Sequence, residues 1–216
     1  DIDYQAQSHF IKRLHQIFGN GANTHLDLAC GTGPHLRHFI NIGYTSSGLD
    51  INQPMLDRAA IRCPEAQFTL QNMSEFTVAQ QQNLITCFLY SIHYCDGIEK
   101  LKACIISVHN ALKAGGMLCF NAVDKNTINN DSFVKHTATS ENSLFTFSSG
   151  WHYSGTGEKQ SLKLRIEKTT SDETFIWNDE HPMVALSFTE LKAVLQPYFE
   201  IHIFEHNYEQ ITPVSY

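Results

Sequence analysis

Apolar residues recur at helical spacing near the start of the chain: Phe10, Ile11, Leu14, Ile17 and Phe18 fall within residues 5–18. That spacing gathers them on one face and predicts an amphipathic helix packed on a sheet. Gly19-Asn20-Gly21 ends it. Short apolar runs then alternate with helical patterns. Strands are expected at 25–30, 44–50, 67–71, 84–89 and 117–122. Helices are expected at 34–41, from Pro54 with Met55, Leu56 and Ala59 inward, and at 98–113, where Gly115-Gly116 supplies a cap. Strand–helix alternation predicts a parallel sheet with helices on both faces.

The pattern changes after residue 125. Residues 126–143 are polar and read as loop. Residues 144–153, then Leu162, Leu164 and Ile166, then 175–184 read as strands separated by turns at Gly155-Thr156-Gly157 and Ser171-Asp172. They predict an antiparallel insert, with Pro182 marking an edge strand. Ser187-Phe188-Thr189-Glu190 is a capping box that opens a helix to about Leu195. Phe199, Ile201 and Ile203 then alternate as a sixth core strand. The expected organisation is a core over 1–125, an antiparallel layer over 126–186 and a return to the core over 187–216.

Charge and cysteine usage narrow the partners. The formal net charge is −7, which disfavours a polyanion, so no nucleic acid is expected. No apolar run reaches the ~18 residues of a membrane span, and no signal peptide is visible, so no membrane is expected. The six cysteines form no C-x-x-C pair and mostly sit in apolar runs. They read as buried free thiols of a reducing, cytoplasmic compartment. Twelve histidines are many, but pairs such as His35 and His38 lack further ligands at zinc spacing, so no metal is expected. A monomer or homodimer is expected, and the start at Asp1 without Met suggests a trimmed chain.

The stretch from His25 to Leu36 carries the chemistry. An apolar strand runs into Gly31-Thr32-Gly33, and a helix opens at Pro34. The two glycines remove β-carbons where backbone must approach a ligand. Proline suits the first helical turn, and the free N–H groups there face the ligand. This is a nucleotide-type pocket at the carboxyl end of a first strand. The third glycine of a dinucleotide fingerprint falls at position 36, where Leu36 stands, which weakens a pyrophosphate reading. Asp50 ends the second strand, where a carboxylate can accept ribose hydroxyls.

The run Leu26-Asp27-Leu28-Ala29-Cys30-Gly31-Thr32-Gly33 resembles motif I of the S-adenosylmethionine (AdoMet) dependent methyltransferases. Ile85 to Tyr94 resembles the strand-four motif of the small-molecule enzymes of that class, and Leu112-Lys113-Ala114-Gly115-Gly116 resembles a structural signature. Residues 29–39 are similar to nucleotide-amino-sugar N,N-dimethyltransferases and glycine N-methyltransferase-like enzymes. The resemblance implies an α/β fold, a doubly wound Rossmann-like methyltransferase sheet with an antiparallel β insert after strand five. A seventh strand is expected to be missing or cut short.

The resemblance also implies S-adenosyl-L-methionine as cofactor, lying over Ala29, Cys30, Gly31 and Gly33. Asp50 would take the ribose, Ile51 and Met55 would wall ribose and adenine, and Asn72 and Met73 would meet the adenine. Leu89 and Tyr90 would border the methionyl part, with Tyr4 near its carboxylate. His93 and Tyr94 would stand at the transferring methyl, His93 as base and Tyr94 orienting the acceptor. Trp151, Tyr153 and His181 are candidates for the acceptor pocket. The expected activity is methyl transfer to a small-molecule acceptor, an amine nitrogen first. The alternatives are an NAD(P)-dependent oxidoreductase and a non-catalytic partner subunit of the same fold.

Overall fold

The computed structural model describes residues 2–205, 207–208 and 210–211. A first helix, α1 (Tyr4–Phe18), is capped by the Asp3 carboxylate, which accepts from the Ala6 N–H. Alternating elements follow: β1 (Thr24–Leu28), α2 (Pro34–Asn41), β2 (Thr45–Asp50), α3 (Gln53–Arg62), β3 (Gln67–Leu70), β4 (Gln82–Cys87), α4 (Ile98–Ala111) and β5 (Leu112–Phe120). The five strands form one sheet in the order β3-β2-β1-β4-β5, every pair parallel. The central strands β1 and β4 are buried along nearly their whole length, as strands covered by helices on both faces must be. Strand order reverses between β1 and β4, and in such sheets a ligand crevice opens at the carboxyl ends there.

The chain then builds a second sheet from β6 (Val134–Ser140), β7 (Ser143–Tyr153), β8 (Lys159–Thr169) and β9 (Thr174–Val184), antiparallel and in sequence order. A last helix, α5 (Phe188–Leu195), opens on the expected capping box: Ser187 Oγ accepts from Glu190 N, and the Glu190 carboxylate accepts from Ser187 N. Hydrogen bonds tie the second layer to the first, two of them through backbone carbonyls. His93 meets the Val184 carbonyl, and the Lys125 N–H donates to the Leu186 carbonyl.

Four expectations change. Residues 134–140 are a strand, not loop; every residue of β6 is exposed, so no apolar alternation marks it. Gly115-Gly116 lies inside β5 rather than capping a helix, which ends at Ala111. Gly115 has φ +70°, and the β4–β5 register shifts between Gln82 and Leu84. The sixth core strand at 199–203 does not form; Phe204 carries a lone bridge, and Phe18 packs on Phe204 and His202. Met55 is 43% exposed rather than inward, whereas Leu56 and Ala59 are buried. Residues 212–216, where a seventh strand would begin, lie outside the described residues. Among the described residues no helix is long and apolar enough to cross a membrane, and no cluster of three metal-ligating side chains occurs.

Candidate functional site

Backbone strain collects at the carboxyl ends of β1 and β4. Ala29 (φ 50°), Leu89 (φ 54°) and Tyr90 (φ 62°) are left-handed without being glycine, beside Gly31 (φ 55°) and Gly33 (φ 75°). Non-glycine residues in this region cost ~1–3 kcal/mol each and persist where the surroundings over-determine them. Here the Leu89 N–H donates to Asn121 Oδ1 at 3.1 Å, fixing the β4 end against the β5 end. A β-carbon on Gly33 would touch Ala59 Cβ at 3.3 Å, so glycine lets α2 and α3 close together behind the turn.

Asp50 lies across the turn. Its Oδ2 accepts from Gly31 N and its Oδ1 from Asn52 N, both at 2.9 Å. Each oxygen retains a lone pair, so the carboxylate is already aimed and can accept a pair of vicinal hydroxyls. Ile51 (72% exposed) and Met55 follow it, and the Met55 sulfur stands 3.8 Å from where a Gly31 β-carbon would lie. Leu89, at the end of β4, is also exposed. Asn72 Oδ1 accepts from Ser74 N at 2.9 Å and has a second lone pair for an exocyclic amine. Tyr4 sits edge-on to His35, ring centroids 4.8 Å apart, over the start of α2.

Other expected residues are placed differently. The Cys30 side chain is buried beneath the turn, where a Gly48 β-carbon would meet its sulfur at 2.7 Å; only its backbone reaches the crevice side. Met73 is buried in the main core. His93 is 1% exposed and has both ring nitrogens engaged. Its Nδ1–H donates to the Val184 carbonyl at 2.9 Å, and its Nε2 accepts from Val123 N–H at 3.0 Å. With no free lone pair it cannot act as the base expected of it; it ties β4, β5 and β9 together. Burial also lowers its pKa. The Tyr153 hydroxyl donates to the Gly157 carbonyl at 3.0 Å and so fastens its own turn.

Tyr94 and His181 do come together. Tyr94, 45% exposed, hydrogen-bonds through its hydroxyl to His181 Nδ1, and His181 Nε2 meets Asp179 Oδ2 at 3.1 Å. If Nε2–H donates to the carboxylate, Nδ1 accepts the tyrosine proton, and a directed Tyr94–His181–Asp179 line results. Burial, then the charge of Asp179, raises the Tyr94 pKa, so the phenol stays protonated. The Trp151 ring stands edge-on to Tyr90 at 5.3 Å and 6.0 Å from His93, on the same side.

Several residues of the site region escaped the sequence reading. Thr86 Oγ1 donates to Asp27 Oδ1 at 2.6 Å and accepts from His25 Nε2–H at 2.8 Å, while His25 Nδ1 accepts from Ser46 at 3.0 Å. This buried relay crosses β2, β1 and β4 just below the turn. Burial pushes the Asp27 pKa up to about 7 and the His25 pKa down to about 3. Gln7 accepts from His35 Nε2 at 2.6 Å and fastens α1 over α2. The polar residues inside otherwise apolar strands were the available signal.

The comparisons agree with this fold. Residues 26–116 match the family described as methyltransferase domain. A dTDP-3-amino-3,4,6-trideoxy-alpha-D-glucopyranose N,N-dimethyltransferase of Streptomyces venezuelae is 31% identical over 116 residues, 54% of this chain and 49% of the relative. A dTDP-3-amino-3,6-dideoxy-alpha-D-glucopyranose N,N-dimethyltransferase of Streptomyces fradiae is 32% identical over 103 residues, 48% of this chain and 40% of the relative. The chain thus spans about half the length of the curated relatives it matches, or less. The structure superposes on Streptomyces venezuelae DesVI (TM-score 0.79, 22% identity, 91% of this chain and 83% of that one). It superposes equally on AdoMet-bound CalS10, an amino pentose methyltransferase from Micromonospora echinaspora (TM-score 0.82, 16% identity, 91% and 83%). Residues 26–116 thus match a methyltransferase domain, and the fold is that of class I AdoMet-dependent methyltransferases. Within that class it resembles the nucleotide-amino-sugar N,N-dimethyltransferases.

Proposed function

We propose that the chain transfers the methyl group of AdoMet to an amine nitrogen of a small-molecule acceptor bound between the sheet ends and the antiparallel layer. The observation that carries this is Asp50, held by Gly31 and Asn52 at the switch point with a free lone pair on each oxygen. Residues fit the cofactor in order along the crevice: Asn72 at the base, Asp50 at the ribose, Ile51 and Met55 as wall. The backbone of Ala29, Gly31, Leu89 and Tyr90, with Tyr4, meets the amino-acid end. The amine acceptor is supported by the printed activities of the relatives, which are N,N-dimethyltransferases.

The bound cofactor supplies a methyl group already activated on a sulfonium. The chain's own residues hold the acceptor in line, and such positioning can be worth ~7–11 kcal/mol in favourable cases. An amine must also lose a proton. Tyr94 is placed to receive an acceptor N–H on its oxygen while its own proton is held toward His181, which Asp179 orients. The test is calorimetric. AdoMet should bind the wild-type chain, and Asp50→Ala should weaken it by ~1.5–3 kcal/mol per charged hydrogen-bonding group lost. Equal affinity in the variant would remove Asp50 from the site. NADH binding in place of AdoMet would turn the reading to the oxidoreductase alternative.

A further inference from the structure

The antiparallel sheet has two chemically different faces. Phe145, Lys168 and Phe175 are direct ladder partners and form one row across one face. Phe147, Ile166 and Trp177 form the next row inward, and Leu164 and Asp179 stand in the row after that. Lys163, Arg165, Glu167, Asn178 and Glu180 alternate with them and project from the opposite face. The inner end of the apolar face is covered. There Trp151 stands against Tyr90, His181 meets Tyr94, and Met183 is buried.

The outer end of the same face is open. Phe147, Ile166, Phe175 and Trp177 are all exposed, Trp177 the most at 52%. The rings already order one another: Phe145 stacks with Phe147 at 6.3 Å between centroids, and Phe175 with Trp177 at 6.2 Å. A sheet is stable with one face in water when that face is polar; an apolar face calls for a further layer. A contiguous exposed patch of this kind marks an interaction surface.

We propose that a second copy of this chain covers the patch, the two sheets packing face to face about a two-fold axis. The axis crosses the strands at the row of Phe147, Ile166 and Trp177. Charge selects both the occupant and its orientation. The charged side chains that β7, β8 and β9 place on the patch are Lys168, one row outward of the axis, and Asp179, one row inward. This axis exchanges the two rows, so each Lys168 faces the partner's Asp179 across sheets ~10 Å apart, within a lysine's reach. Each copy then gives and receives the same ion pair, as an isologous contact requires. An axis along the strands would instead set lysine row on lysine row. The area suffices: the open side chains of these rows present on the order of 600 Å² per copy, and specific interfaces bury ~600–1,000 Å² on each side. The contact also reaches the candidate site. Asp179 Oδ2 lies 3.1 Å from His181 Nε2, so the partner's Lys168 arrives beside the carboxylate that orients the Tyr94–His181 pair.

Sedimentation velocity on the chain at micromolar concentration tests this without reference to what the crevice binds. The wild type should sediment as a dimer. Trp177→Glu should be monomeric with an unchanged far-UV spectrum, and Ile166→Lys serves in its place if that variant does not fold. Lys168→Glu and Asp179→Lys should each weaken the dimer at least tenfold, and the two together should restore it to within about threefold of wild type. A monomeric wild type overturns the proposal. So does a dimer that survives both Trp177→Glu and Ile166→Lys, which would place the contact elsewhere. Single charge variants that leave the dimer intact, or a double variant that stays as weak as the singles, overturn the paired arrangement of Lys168 and Asp179 and the proposal with it.

Discussion

His93 and Tyr94 are neighbours in sequence with opposite environments. His93 is sealed in and bonded on both nitrogens to backbone, while the Tyr94 hydroxyl reaches the surface of the crevice. Their substitution should therefore divide cleanly. His93→Ala leaves the Val184 carbonyl and the Val123 N–H buried without partners, at roughly 1–3 kcal/mol each. It should lower the melting temperature by several degrees while the folded fraction still binds AdoMet. Tyr94→Phe and His181→Ala should leave stability near wild type and slow turnover of an amine by ~10²-fold or more. If His93→Ala keeps its stability and loses only kcat, the histidine has a chemical role after all. The sequence singles out this stretch but cannot say which ring faces the crevice. That depends on β9, about 90 residues downstream, arriving to bond one of them.

At the scale of elements, legibility followed burial. The five parallel strands and their helices carry apolar runs because helices cover them, and they stand close to where the spacing predicts. β6 was hidden because Val134–Ser140 is exposed throughout and is held by pairing with β7 rather than by an apolar face. The alternation at 199–203 misled in the opposite direction. Its apolar side chains pack near α1 and α5 without joining a ladder, and Phe204 is satisfied by Phe18. Gly48 shows how an element's spacing reaches the site. It lies in β2, two residues before Asp50, and an added β-carbon would come within 2.7 Å of the Cys30 sulfur and 3.2 Å of Phe68. The Cys30 β-carbon would lie at 3.1 Å as well, so rotating the sulfur away does not relieve the whole contact and part of it passes to the glycine turn above. Gly48→Ala should cost ~1–3 kcal/mol through overpacking and weaken AdoMet binding together with stability. A variant that loses stability with intact affinity would show the strain relaxing toward Phe68 and away from the turn.

At the scale of the whole molecule, buried ionisable groups set the pH dependence of folding. Burial depresses the pKa of His25 to about 3 and of His35 to about 4, and lowers those of His15 and His93. The folded state keeps these rings neutral, whereas the unfolded chain protonates them below ~6.5. Their stabilisation is present above that value and is lost as pH falls through the folded pKa values. Asp27 acts in the other sense. Its pKa is raised from 3.8 to about 7, so its contribution is full below 3.8 and is lost as pH rises through about 7. Near pH 5 the unfolded chain has bound at least two more histidine protons, and the folded state has retained one more on Asp27. The net difference favours loss of stability on acidification, at ~1.4 kcal/mol per pH unit for one proton. Stability should therefore peak near pH 6.5–7 and fall on the acid side. Asp27→Asn keeps an acceptor for Thr86 but removes the opposing contribution. The acid-side slope should then steepen toward ~2.7 kcal/mol per unit, and the decline above pH 6.5 should disappear. Urea unfolding from pH 4.5 to 8 measures both slopes. Parallel profiles for wild type and Asp27→Asn would mean that Asp27 is ionised in the folded protein, and that the relay from Ser46 through His25 and Thr86 ends on a carboxylate rather than on an acid.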